Sequence, residues 1–303
     1  MACLDVSWFS RWSSELDAAL DCLPDLEMCS RDLYRALTET PDRREKRIAL
    51  VTEHGSPFAV IALRRQTRLT WAPSLQWLVP GPSFPVRPGK SVAALSALGR
   101  SIPVAWWRMD EPLPSIPGIR SLTTEPVFRM RLPCDREAFW RQTRYLRRIR
   151  NIRNRCSAFA WAINPPGGAR WVIANWAAKW RVDGGLDGVV RDRIMVAEAL
   201  EARGQHHTIA LFDGDRMIAG STNFAHRGEL VAGTLYGDPA YRDHHVGVRT
   251  IDQTFSFAAE RGFAAIDIGR GNTYKHQWAP EDGSLSTFVV APGPLWRLQR
   301  IVA

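Results

Sequence analysis

Ala265-Ile-Asp-Ile-Gly-Arg-Gly-Asn-Thr-Tyr-Lys275 is the stretch on which the reading of the fold turns. Ala264 to Ile268 alternates like a short buried strand, and Gly269 and Gly271 free the backbone for positive φ or close approach. Asn272 then stands where it can cap a helix carrying Tyr274, Lys275 and Trp278. The predicted unit is strand, tight turn, helix. It gathers Asp267, Arg270, Tyr274 and Lys275 at one end of a strand, where open α/β sheets commonly receive ligands. Read alone, the same residues also describe a structural corner fixed by an Asp267–Arg270 pair.

Working back from this stretch, a helix is predicted from Gly247 to Glu260 and strands over Thr208–Phe212, Met217–Phe224 and Leu230–Tyr236. Asp213-Gly-Asp215 and His226-Arg-Gly228 mark the two hairpins that join those strands. Before them come a strand over Phe159–Ile163 and helices over Trp171–Arg181 and Val190–Ala202. A last strand is predicted over Leu285–Val290. Asp135 to Arg155 reads as one helix: Phe139, Leu146, Ile149 and Ile152 form an apolar stripe and eight arginines cover the rest, as on a solvated linker helix or a surface for phosphates.

The first part of the chain carries two helical patterns in residues 5–40, a hairpin around His54-Gly55, strands over Leu75–Val79, Val104–Arg108 and Val127–Leu132, and a helix over Ser91–Leu98. Pro112 to Pro117 punctuates it. At 303 residues the chain suits two domains, here 1–133 and 134–303.

Composition bounds the partners. The net charge of +9 favours an anionic partner, although only four of the 40 basic residues are Lys, an arginine bias that coding composition also explains. Five cysteines without zinc-ligand spacing predict free thiols in a reducing compartment. The pairs His206-His207 and His244-His245 diverge at adjacent positions, so no metal site is expected. The N-terminal residues lack a leader pattern and no run approaches a membrane span, which predicts a cytoplasmic protein.

The order β-α-α-β-β-β-α-β-α-β over about 155–290 resembles the GNAT acetyltransferase superfamily. At residue level the chain has an Asp-Gly hairpin entering Ile218-Ala-Gly220, Tyr236 ending the next strand and Gly247 opening the long helix. It also has Arg261-Gly-Phe263 closing that helix, and Asp267-x-Gly-Arg-Gly-x-x-Tyr-Lys275. In these it is similar to the CelD/BcsL (BioF2-like) type, related to the FemABX peptidyltransferases. The resemblance implies two GNAT-like α/β domains with mixed, splayed sheets flanked by helices, the first degenerate.

It further implies acyl-CoA, acetyl-CoA in the simplest case, as co-substrate, with no metal. Its pyrophosphate would lie on Val246, Gly247, Val248 and Arg249 with Arg270 nearby. His244-His-Val-Gly-Val-Arg249 keeps the middle glycine of the superfamily signature and puts Arg249 where a small residue is usual. Asp267 and Lys275 would act at the acceptor and the developing charge, and Tyr236 or Tyr274 would donate a proton. The acceptor class implied is an amine or hydroxyl, such as a small molecule or a cell-surface polysaccharide precursor. Two rival readings stand beside it: aminoacyl transfer from charged tRNA, and a transferase fold retained as a non-catalytic binding or scaffold subunit. Oligomeric state is not legible.

Overall fold

The computed structural model describes residues 4–290 apart from 41–44, 66–70, 76–77, 79–83, 108–118, 180–186 and 271–272. Pro112 to Pro117, Trp180, Arg181, Gly271 and Asn272 of the sequence reading lie outside the described residues. In chain order the elements are β1 (Leu4–Phe9), α1 (Ser14–Asp21), α2 (Arg31–Glu39), β2 (Lys46–Glu53), β3 (Ser56–Arg65), β4 (Trp71–Pro73), α3 (Ser91–Leu98), β5 (Val104–Trp107) and β6 (Ile119–Arg131). There follow α4 (Arg136–Gln142), α5 (Leu146–Arg155), β7 (Ala160–Ile163), α6 (Gly168–Lys179), α7 (Asp187–Glu201), β8 (His206–Asp213), β9 (Arg216–His226) and β10 (Glu229–Gly237). Then come α8 (Val246–Glu260), β11 (Ala265–Arg270) and β12 (Glu281–Val290), with short 3-10 turns at Pro239–His244 and Thr273–Gln277.

Two units result: Met1–Glu125 with Leu285–Ala303, and Pro126–Ser284. The division differs from one at 133/134 in two ways: Val127 to Arg131 of β6 pair with β11 and so fall in the second unit, and β12 pairs antiparallel with β5 over Thr287–Val290, which puts that strand in the first. Both partnerships are long-range and leave no local trace. The first unit orders its strands β1-β2-β3-β4-β5-β12, the second β6-β11-β10-β9-β8-β7. Both follow β-α-α-β-β-β-α-β, with one parallel pair, β4 with β5 and β10 with β11. The repeat shared by the two halves is therefore one of topology, which no repeated motif announces.

Three local readings are corrected. Leu4–Phe9, within the stretch read as helical, is a strand because all six residues pair with β2, from Leu4↔Glu53 to Phe9↔Ile48, and sheet pairing overrides local preference. Of the strand expected over Leu75–Val79, Leu75 and Leu78 lie in turns and the other residues are outside the described ones; a strand is present at Trp71–Pro73, where Leu63 and Arg65 of β3 provide partners for Pro73 and Trp71. Asp135–Arg155 is two helices. Arg144 turns left-handed at φ 64°, and the Tyr145 amide donates back to the Trp140 carbonyl at 2.8 Å, a C-terminal stop made without glycine.

In the second unit, Phe128, Met130, Leu230 and Ile266 of the sheet form one core with Trp140, Ile149, Phe255 and Trp278. On α6, Val172 packs so closely on β9 that a Cβ at Gly220 would lie 2.6 Å from its Cγ2. No helix among the described residues is long and apolar enough to cross a membrane.

His206 is 0% exposed at the start of β8, edge-on to Phe224. Burial, with a small contribution from His207, depresses its pKa from 6.5 to about 3. As pH falls below 6.5 the unfolded chain gains a proton that the folded chain refuses until about pH 3, so stability is lost across that window. The loss approaches ~1.4 kcal/mol per pH unit from this group. Urea unfolding between pH 7 and 4.5 should show this decline, and His206→Phe should flatten it relative to the wild type.

Candidate active site

The site begins where two neighbouring strands part. β10 and β11 run parallel and pair only at Glu229↔Ala265, Leu230↔Ile266 and Val231↔Asp267, although β10 continues to Gly237 and β11 to Arg270. The separation starts beside a β-bulge. Ala232 faces Asn223 and Leu235 faces Ser221, so Gly233 and Thr234 together oppose Thr222. The bulge is tied down from both ends: the Thr234 amide donates to Thr222 Oγ1 at 2.9 Å and that hydroxyl donates to the Thr234 carbonyl at 3.5 Å. Gly233 is required here, since a Cβ would stand 2.9 Å from the Thr222 carbonyl oxygen and 3.0 Å from Oγ1.

A cavity of about 120 Å³ occupies the opening, walled by β9, β10, β11 and α8. Its lining includes Asn223, Thr254, Ile268, Tyr274 and Lys275. Tyr274 is 50% exposed and marks the mouth; burial of part of its ring raises its hydroxyl pKa, so it keeps its proton.

Lys275 enters through the turn at the end of β11. Its Nζ donates to the carbonyls of Ile268 and Arg270, both at 2.7 Å, across Gly269 in the left-handed region at φ 77°. Asp267 lies on β11 between Ile266 and Ile268, and strand alternation turns it from the face of those two lining residues. Its Oδ1 accepts the Gly269 amide at 2.6 Å, closing the turn from the other side. Arg270 sits opposite Val127 of β6. Tyr236 lies edge-on to Trp171 of α6 at 5.3 Å, and burial raises its hydroxyl pKa, aided by Asp238. The cavity therefore brings together Tyr274 and Lys275; Asp267 holds their turn, and Tyr236 stands at the face carrying α6.

The start of α8 meets the end of β10. A Cβ on Gly237 would lie 3.1 Å from the Gly247 nitrogen, while one on Gly247 would meet nothing within 4 Å, so the space over Gly247 is open. His245 precedes the helix at φ 55° without a side-chain cap, and the first helical bond runs from the Arg249 amide to the His245 carbonyl at 3.1 Å. The amides of Val246, Gly247 and Val248 precede that bond at the positive end of the helix dipole, a setting for an anion.

Arg249 points into the domain. Its Nη1 donates to Asp252 Oδ2 at 2.8 Å and its guanidinium lies 5.0 Å from the Trp161 ring. Asp252, 1% exposed, also takes Arg153 bidentately, at 2.8 Å for both bonds, and Arg136 at 3.3 Å. Its hydrogen bonds hold the Arg153 guanidinium above its usual pKa, whereas burial pulls Arg136 below. Arg136 and Arg153, read as part of a solvated surface, instead clamp α4 and α5 onto α8.

Sequence reasoning missed Asn223 and its polar neighbours. Their signal was Ser221-Thr-Asn223, a polar run inside the otherwise apolar and small Ile218–Phe224.

Residues 134–277 match the family model described as an acetyltransferase (GNAT) domain. The match covers just under half of the chain, and these residues have the GNAT fold. Solved structures share the fold over nearly the whole chain. L-PGS from Bacillus licheniformis is similar with a TM-score of 0.56 at 11% identity, covering 97% of this chain and 95% of that one. FemX is similar with a TM-score of 0.51 at 12% identity, covering 96% of this chain and 99% of that one. Such identities speak for the fold alone. No curated protein matches the chain in sequence.

Proposed function

We propose that this protein transfers an acyl group, acetyl in the simplest case, from acyl-CoA to an amine or hydroxyl acceptor. One observation carries the reading: β10 and β11 separate after Val231↔Asp267 around a cavity, and the open first turn of α8 abuts the end of β10 at Gly237. Free strand edges suit the amide-bearing pantetheine arm, and the amides of Val246, Gly247 and Val248 suit its pyrophosphate. Arg249, held by Asp252, braces this turn rather than reaching across it.

An acyl thioester supplies an activated carbonyl. The chain's part is to orient the acceptor, keep water out and move a proton. Tyr274 Oη holds a proton at neutral pH beside the cavity and is the donor we assign for the leaving thiolate. Lys275 Nζ and Asp267 Oδ1 fix the turn beneath it, as positioning residues. A role for Arg270 near the cofactor, and for Tyr236 as the alternative proton donor, rests on the sequence resemblance. So do the CelD/BcsL type, a polysaccharide-precursor acceptor and a cytoplasmic location.

Aminoacyl transfer from charged tRNA is the second reading, favoured by Arg141, Arg144, Arg147 and Arg148, which stay exposed along α4 and α5. Thermal melting separates the two. Acetyl-CoA at a hundred times its Kd should stabilise the protein by ~2.7 kcal/mol. No shift with any acyl-CoA, together with tRNA binding that weakens steeply with salt, would favour the second reading; tolerance of both would leave a scaffold.

A further inference from the structure

Among the described residues, Arg193 of α7 is a cation without an acid. Its neighbours on the helix are taken: Asp192 pairs with Arg191, and Glu198 with Arg170. Burial alone acts on the Arg193 guanidinium, pulling its pKa below the ordinary value, whereas hydrogen bonds from Asp252 raise that of Arg153. The group is nonetheless held in place. Nη1 donates to Thr234 Oγ1 at 3.3 Å, and the guanidinium lies 5.2 Å from the centre of the Trp176 ring of α6. Nε is buried without a partner, while Nη2, which also makes no hydrogen bond among the described residues, retains surface on a side chain that is half-buried.

Thr234 connects this arginine to the site. It lines the cavity and belongs to the bulge beside which β10 leaves β11. Tyr236, two residues on, shares its face of the strand and meets Trp171 of α6. A tie between α7 and β10 needs only a neutral donor to the Thr234 hydroxyl; a partly desolvated charge in that position costs free energy until an anion joins it. One guanidinium against an indole, with one edge left over, matches the single charge and planar shape of a carboxylate. A phosphate group brings a charge of about −1.5 to −2 and three oxygens, more than this one cation balances.

We infer that Arg193 receives a carboxylate of the acceptor, which is therefore an amine or hydroxyl compound that is also an acid. This rests on the acyl-CoA reading and names its acceptor class.

The test is binding to the full chain, with CoA present, of amino acids, β-alanine, lactate and glucuronate, each beside its neutral amide, and of phosphoethanolamine. At least one acid should bind at least tenfold tighter than its amide, the counterpart of one charge-assisted hydrogen bond, and which acid does so separates amino, hydroxy and sugar acids. Arg193→Gln, which keeps a donor for Thr234, should erase the preference. Should that variant fail to fold, Arg193→Lys, which keeps the charge and loses the fork, decides, and should weaken the preference severalfold. Amides binding as well as acids throughout, phosphoethanolamine binding tighter than every acid, or a preference unchanged in the folded variant overturns the inference and leaves the acyl-CoA reading intact. Acetyl-CoA titrated into the same preparation reports on that reading separately; absence of binding there overturns it, and with it the role of the acid as acceptor.

Discussion

Asp252→Ala should destabilise the second unit by about 3–5 kcal/mol, the cost typical of breaking a buried ion pair from one side. The carboxylate is nearly fully buried and is the shared partner of Arg136, Arg153 and Arg249, which come from three different helices. Removing it leaves three partly desolvated cations facing one another. Two of them, Arg136 and Arg153, lie against the Trp140 ring, at 5.5 and 5.2 Å, and can move out only by uncovering it. For a unit of this size the midpoint should fall by roughly 6–20 °C. Glu198→Ala, which removes the exposed bridge to Arg170, is the matched control and should change stability by less than ~1 kcal/mol. A shift for Asp252→Ala as small as the control's would mean that the arginines find solvent or other partners and that α4 and α5 are not held by this carboxylate.

Much of the second unit could be read from local pattern. Asp213-Gly-Asp215 and Arg227-Gly228 announce their hairpins because Gly214, Arg227 and Gly228 adopt positive φ there, and the helix expected over Gly247–Glu260 differs from α8 only at its first residue. Elements set by distant partners were less legible. β1 is a strand because β2 is beside it, and the end of α4, followed by left-handed Arg144, has no Gly or Pro to announce it. The site divides the same way. Lys275 and Tyr274 could be found because the turn that carries them is a motif. Asn223 and Asp252 could not, because a buried polar residue on a strand and an acid on a helix acquire meaning only from what the fold brings to them. Asp267 is intermediate: its position was legible, but its bond to the Gly269 amide, directed along the turn, was not.

Gly233→Val should weaken acyl-CoA binding by about 5- to 150-fold, if the ~1–3 kcal/mol of overpacking falls on the bound state. Its Cβ would meet the Thr222 carbonyl and hydroxyl of β9, and the Phe224 ring at 3.1 Å. The backbone of a paired strand cannot retreat as a side-chain tip can. The bulge must then shift, carrying with it the edge of β10 that faces the opening. The measurement closest to the central claim is therefore isothermal titration of acyl-CoA into the full chain and into Gly233→Val, with the variant's fold checked by its melting curve. One site per chain in the wild type, with affinity lost in a folded variant, is the predicted result. Equal affinity in both proteins would contradict it by removing the strand opening as the binding site, and so would the absence of any heat from acetyl-CoA and its longer relatives in the wild type.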